Sequence, residues 1–397
     1  MAEARRGAVS AGAAAGARGL IDLVPETREA PQRVKAGTQD NRAHNRSLVL
    51  ATLYHDGAQT RPDLGKTTGL TAPTVSALVA DLVAEGLVAE TAPRAGARVG
   101  KPSNLLELDA AGAHVVALDL SGAESFHGAL LDLRGTVVRR DSIPIGDALG
   151  AAAYELVHEL ARRLAEAAPR RVLGVGVGSP GIVDDRGVVR HAAHLEWFDR
   201  PMAEDLTALL GAPAYVGNDV NAAALAVLHF RGTRARNLMI VTTEHGVGAG
   251  LVVAGELVEG EQFAAGEIGH VTVDPSGEPC VCGRRGCLDP LIDAANLSRR
   301  VAGLGEAARA VALAAAGQAL GVVLAPIVCA LNLNEVIVTG PPELVDGALL
   351  DSVGATLRER TLAPFSAALR LRSLAGERDL VLIGAASRVL AGELGVF

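Results

Sequence analysis

Residues 267–287 run EIGHVTVDPSGEPCVCGRRGC, placing one imidazole, His270, and three thiols, Cys280, Cys282 and Cys287, in a single short stretch. Three thiolates and one imidazole make the closed tetrahedral set of a structural zinc site. Gly283 and Gly286 supply the tight turns that let a short loop wrap the ion. Four protein ligands leave no position for a catalytic water, so the expected Zn2+ is architectural. The competing reading is three ordinary buried cysteines. The fourth cysteine, Cys329, sits in an apolar helical stretch and is expected in the core. Clustered thiols point to metal more than to disulfides.

Outward from this loop the pattern is α/β. Upstream, Val115 to Leu120, Gly128 to Leu133 and Val137 to Ile143 read as strands, followed by a helix near Ala148 to Ala167 and a buried strand at Val172 to Val177. A similar order recurs around the metal loop, with Leu238 to Thr243, Val247 to Val253, Glu256 to Val258, later helices, and Val336-Ile337-Val338. Two comparable lobes with a cleft between them are implied, over about 109–235 and 236–397. A chain of 397 residues, with 49% hydrophobic but only 3% aromatic side chains, suits a small domain plus this large one, its core filled by Ala, Val and Leu.

The small domain lies ahead of it, at 37–108. Three helical signals come first: a helix through Ser47 to Tyr54, a second opened by Thr60-Arg61-Pro62-Asp63 with its N-cap hydroxyl, and a third, Ala72 to Glu85, capped by Thr71. Val75, Leu78, Val79, Leu82 and Val83 form the buried stripe of the third helix. Strand-like Leu87 to Glu90 and Leu105 to Leu108 flank a basic loop. That is the order of a winged helix-turn-helix. Its third helix would enter a DNA major groove with Thr71, Thr74 and Ser76 placed to reach phosphates or bases, while Arg94, Arg98 and Lys101 on the wing would touch the backbone or minor groove. The bland alternative is a three-helix packing unit with an exposed basic loop. Residues 1–36, rich in Ala, Gly and Arg, read as a disordered arm.

The net charge of -8 opposes nucleic-acid binding only if taken over the whole chain. Residues 1–107 carry 13 Lys and Arg against 11 Asp and Glu, a net of +2, which leaves -10 for the rest. With neither a signal-peptide apolar segment nor an uninterrupted apolar run of membrane-spanning length, the expectation is a cytoplasmic protein without membrane attachment.

The Glu267-Ile268-Gly269-His270 segment with its cysteine run, together with Gly178-Ser179-Pro180-Gly181 and Asn218-Asp219-Val220-Asn221, resembles the ROK family of repressors and sugar kinases, and the added winged helix resembles its NagC/XylR-type regulators. The resemblance implies an actin-like, hexokinase-like two-lobed fold holding a sugar between the lobes. It assigns Asn218, Asp219, Glu267, His270 and Asp289 to the effector, with Asp219 at the position of the kinase general base and His270 giving one ring nitrogen to zinc and the other to the ligand. Taken alone, Asn218-Asp219 reads first as a helix cap before Val220 to His229.

Three nucleotide elements depart from the family pattern. Asp119-Leu120-Ser121-Gly122-Ala123 has lost a Gly and the Thr of the first phosphate loop, and Glu244-His245-Gly246 puts an acid in the second. A late Gly-Gly has become Thr339-Gly340-Pro341-Pro342. Asp289 stands where Glu is more usual and His194 where Asn is, which leaves both a sugar and a sugar phosphate open as effector. The expectation is therefore a sugar-responsive regulator, most naturally a repressor, without catalysis, acting on a DNA operator as a homodimer or tetramer. The alternative is an ATP-dependent hexose kinase with a regulatory DNA-binding domain.

Overall fold

The computed structural model describes residues 41–91 and 104–397. The arm and the wing residues Arg94, Arg98 and Lys101 lie outside them. The head starts with α1 (Asn41–Asp56), then β1 (Gln59–Thr60), α2 (Arg61–Thr68) and α3 (Ala72–Ala84), and closes with β2 (Val88–Thr91) and β3 (Leu105–Leu108). Local chemistry sets its boundaries. Thr60 and Thr71 cap α2 and α3, their hydroxyls accepting from Asp63 N and Thr74 N, and Gly69 ends α2 in the left-handed region at φ 70°. The axes of α2 and α3 lie at 115°, the helix-turn-helix geometry. β3 pairs with both β1 and β2 in one small antiparallel sheet.

The first lobe contains β4 (His114–Asp119), β5 (Ser125–Leu131), β6 (Val137–Pro144), α4 (Gly150–Glu166), β7 (Val172–Ser179), β8 (Ile182–Val183), β9 (Val189–Ala192), β10 (Trp197–Arg200), α5 (Met202–Leu210) and β11 (Ala214–Asn218), leading into α6 (Asp219–Phe230). The second has β12 (Leu238–Thr242), β13 (Gly248–Val253), β14 (Glu256–Leu257), α7 (Asp289–Ile292), α8 (Ala294–Val301), α9 (Glu306–Leu331), β15 (Glu335–Thr339), α10 (Pro342–Val345), α11 (Ala348–Arg360), α12 (Ala363–Ala368), β16 (Arg370–Ser373) and finally α13 (Leu380–Leu394).

The two large sheets have one topology. β11-β7-β4-β5-β6 and β14-β13-β12-β15-β16 are each an antiparallel three-strand meander extended by two parallel strands. At the helices the two lobes interleave. α13 packs on the first sheet, against β7 and β4, whereas α6 packs on β13 and β12 of the second and also touches β7 and β11 of the first. The two helices lie against each other, forming the layers between the sheets. Gly384 allows this approach, since a Cβ there would meet Ala222 O at 1.7 Å.

Helix α9 is long and apolar enough to cross a membrane, yet Leu313, Leu320, Leu324 and Val328 are buried in the second lobe's core, where α9 lies along α11. Cys329, expected in that core, is exposed on the opposite face.

Candidate functional site

The parallel pair β7–β11 brings Asn218 beside Ser179, and β4 pairs with β7 so that Asp119 lies opposite Gly178. Three neighbouring strands therefore end at one edge of the cleft, where carboxylates collect. Asn218 is a helix cap: its Oδ1 accepts from Asn221 N at 3.0 Å, and its Nδ2 donates to Gly181 O at 3.1 Å. Asp219, at the first position of α6, accepts from Val220 N at 2.9 Å through Oδ1. Burial, the nearby Asp119 and, more weakly, Glu267 push the Asp219 carboxyl up to about 7. Burial also raises Asp119, against which Ser121 donates from its N–H at 3.0 Å and its hydroxyl at 2.6 Å. The pairing of Asp119 with Asp219 is invisible in the sequence, because it depends on strand order. Its only signal is the Asp-x-Ser-Gly turn.

From the second lobe come Glu267 and His270. Gly266 can sit against β13 only without a side chain, since a Cβ would meet Ala249 O at 1.8 Å, and its φ is 99°. The next residue, Glu267, is thereby held at the cleft, with Oε2 at 3.9 Å from His270 Nε2. The other ring nitrogen of His270, Nδ1, is 3.5 Å from Cys280 Sγ, and Cys282 and Cys287 have their sulfurs 3.7 Å apart. The four ligand atoms lie within 4.8 Å of one another, a set able to hold a metal ion. Backbone bonds close the loop around them, Cys280 N to Arg284 O and Gly283 N to Cys280 O.

Asp289 serves the structure of the cleft wall, because its Oδ1 accepts from Val247 N at 2.8 Å and so fixes the Glu244–Val247 turn. Burial raises its carboxyl, and the Val247 N–H opposes that rise. Glu244 and His245 are exposed on this turn. His194, exposed at its surface, precedes the buried Trp197, and partial desolvation by its neighbours, helped by His245, lowers its ring below the usual histidine range. At the end of β15, Pro341 and Pro342 open α10, and neither has an N–H to offer a phosphate.

In the head, the Thr71 and Thr74 hydroxyls bond each other at 2.8 Å and Ser76 is exposed. Where α1 meets the body, Arg134 in the β5–β6 turn donates to Tyr54 O at 2.5 Å and covers the Tyr54 ring at 5.0 Å. His55 Nε2 donates to Val396 O at 2.5 Å. Phe397 stacks on His229 near the end of α6, with centroids 4.0 Å apart and planes at 2°, and meets the Tyr54, His55 and Phe230 rings edge-on. His229 Nδ1 and Ser387 Oγ on α13 are 2.9 Å apart. No motif points to this joint. Its residues come from four distant segments, α1, the β5–β6 turn, the end of α6, and α13 with the residues after it.

Residues 115–391 match the ROK family and residues 43–98 the MarR family. The chain is 32% identical over 251 residues to a putative xylose repressor of Caldicellulosiruptor sp., a match covering 62% of each protein, so it spans 62% of that relative's length. It is 23% identical to the DNA-binding transcriptional dual regulator NagC of Escherichia coli over 81% of this chain and 86% of that one. A crystal structure of a ROK family transcriptional regulator, a homologue of the E. coli Mlc protein, shares the fold, with TM-score 0.77, 22% identity, and coverage of 89% of this chain and 97% of the other.

Proposed function

This chain belongs to the ROK family, and from that premise we propose that it is a DNA-binding transcription regulator, a repressor, whose affinity for its operator is set by a sugar in the cleft. The observation that carries the proposal is the placement of α6. Its first residue is Asp219 in the cleft, and its last two, His229 and Phe230, lie against Phe397, which in turn meets α1 of the head. A helix of this length spans about 18 Å as a stiff rod.

Sugar hydroxyls donate to the carboxylate oxygens of Glu267 and to the Asp219 oxygen that Val220 N does not occupy, and His270 Nε2 completes the polar set. Closure around the sugar moves α6, which bridges the two sheets and leans on the second, relative to α13, seated on the first. The joint made by Ser387, His229 and Phe397 straddles that boundary and passes the movement to α1. Sugar and operator are thereby coupled. In a homodimer with two heads about 34 Å apart, a small tilt mismatches the half-sites.

His270, Cys280, Cys282 and Cys287 fit a structural Zn2+. A tetrahedral ion with ~2.3 Å Zn–S bonds sets sulfurs about 3.8 Å apart, close to the 3.7 Å between Cys282 and Cys287. The ion would cross-link the loop and fix the His270 ring, leaving Nε2 for the ligand.

A kinase reading has one observation in its favour, the retained Asp119 and Asp219, brought to the same cleft edge by the strand order. Against it stand exposed Glu244 and the donor-free Pro341-Pro342, which leave phosphates poorly held. Asp219→Ala decides the proposal: DNA binding should persist and its response to sugar vanish, and an unchanged response would place the effector elsewhere. Sugar-dependent ADP formation that Asp219→Asn abolishes would establish the kinase instead.

A further inference from the structure

Helix α3 presents an unusual surface for a recognition helix. Its outward residues over the first turns are Thr71, Ala72, Pro73, Ser76, Ala77 and Ala80, and the whole helix, APTVSALVADLVA, has no Arg, Lys, Asn, Gln or His. In the major groove guanine is read by Arg or Lys, and adenine by Asn or Gln, each through paired hydrogen bonds. Thymine offers a 5-methyl group that small apolar side chains contact. The Thr71 hydroxyl is committed to the cap and to Thr74. Ser76 alone brings an uncommitted hydroxyl to this face among the described residues.

The nearby cations do not change this inventory. Arg42 pairs with Asp81, Arg46 with Glu85, and Arg61 with Glu90. The first two pairs tie α1 to the outer edge of α3 and fix its pitch. Lys66, exposed on α2, has no acidic partner among the described residues and is placed on the helix that crosses the phosphate backbone.

On the premise that α3 is the recognition helix of the proposed regulator, we propose that it selects its operator by thymine methyl groups, packed against the Ala72, Pro73, Ala77 and Ala80 side chains, and makes no paired hydrogen bonds to guanine or adenine. The half-site beneath α3 is then defined by the positions of its thymines. A G·C pair under α3 offers no methyl on either base and is disfavoured there by about fourfold.

The test begins with selection of duplexes from a random library by the full chain. In the selected site, each thymine is replaced in turn by deoxyuridine, which deletes only the methyl group, and each guanine by 7-deazaguanine, which deletes the N7 acceptor. Binding should weaken about fourfold for each contacted thymine, the worth of one buried methyl, and should ignore the guanine changes. Ala77→Ser should abolish the thymine-over-uracil preference at one position while other positions keep theirs. A selected site indifferent to every deoxyuridine, or one that loses tenfold or more with 7-deazaguanine in the half-site, overturns methyl readout and leaves the regulator standing. Failure to enrich any sequence overturns both.

Discussion

Replacing Asp219 with Asn should stabilise the protein, and by more at pH 8 than at pH 5.5. The folded chain holds the Asp219 proton up to about 7, whereas an unfolded chain releases it near 3.9. With the carboxyl protonated in both states there is no proton-linked cost, so the contribution of this group to stability is full below about pH 4. It falls as pH rises towards the folded value and is flat above it. Three units at about 1.36 kcal/mol each give ~4 kcal/mol for a fully desolvated carboxyl. Because the residue is partly exposed to the open cleft, screening lowers this towards ~2 kcal/mol. About half of it develops between pH 5.5 and 8, or ~1–2 kcal/mol, which is worth about 2–6 °C in Tm. Thermal melts of both proteins across this range measure the difference directly. An equal Tm gap at both pH values would show the carboxyl to be solvated, and would remove the physical basis for a polar ligand site at Asp219.

Two further outcomes follow from the same geometry. A strong chelator, or Cys282→Ser, should lower Tm with loss of about one bound zinc per chain by elemental analysis, because a closed four-ligand site contributes its binding free energy to folding; a chain that carries no zinc and is indifferent to chelator would refute the assignment. Phe397→Ala removes the ring shared by α6 and α1, with aromatic pairs worth about 0.5–1.5 kcal/mol each beyond the area they bury. Sugar affinity by calorimetry should stay within about twofold, while the sugar-induced change in DNA affinity shrinks up to tenfold, and unaltered coupling would exclude the joint.

How much was legible in the sequence follows from how local each feature is. Thr60 and Thr71 announced their helices because a cap is a contact three residues long. The His270 and cysteine set was readable because four ligands lie close in sequence. Asn218 illustrates a two-sided case, since its cap bond to Asn221 N is formed, yet it also stands at the cleft. Long-range packing was opaque. Nothing in Leu380–Leu394 indicates that it returns to the first sheet, and α9 is apolar on every side, so its pattern could not show that Cys329 faces outward. Asp289 has the chemistry of a hydroxyl acceptor, but one of its oxygens is taken by Val247 N, a bond no motif foretells.

The coupling of cleft to head is tested most directly by measuring both ligands in both orders: the DNA Kd with and without saturating sugar, and the sugar Kd with and without saturating DNA, at fixed salt. Linkage through α6 predicts that the two affinities change by the same factor, between about 5-fold and 150-fold. Specific DNA binding and sugar binding that each leave the other unchanged would contradict it.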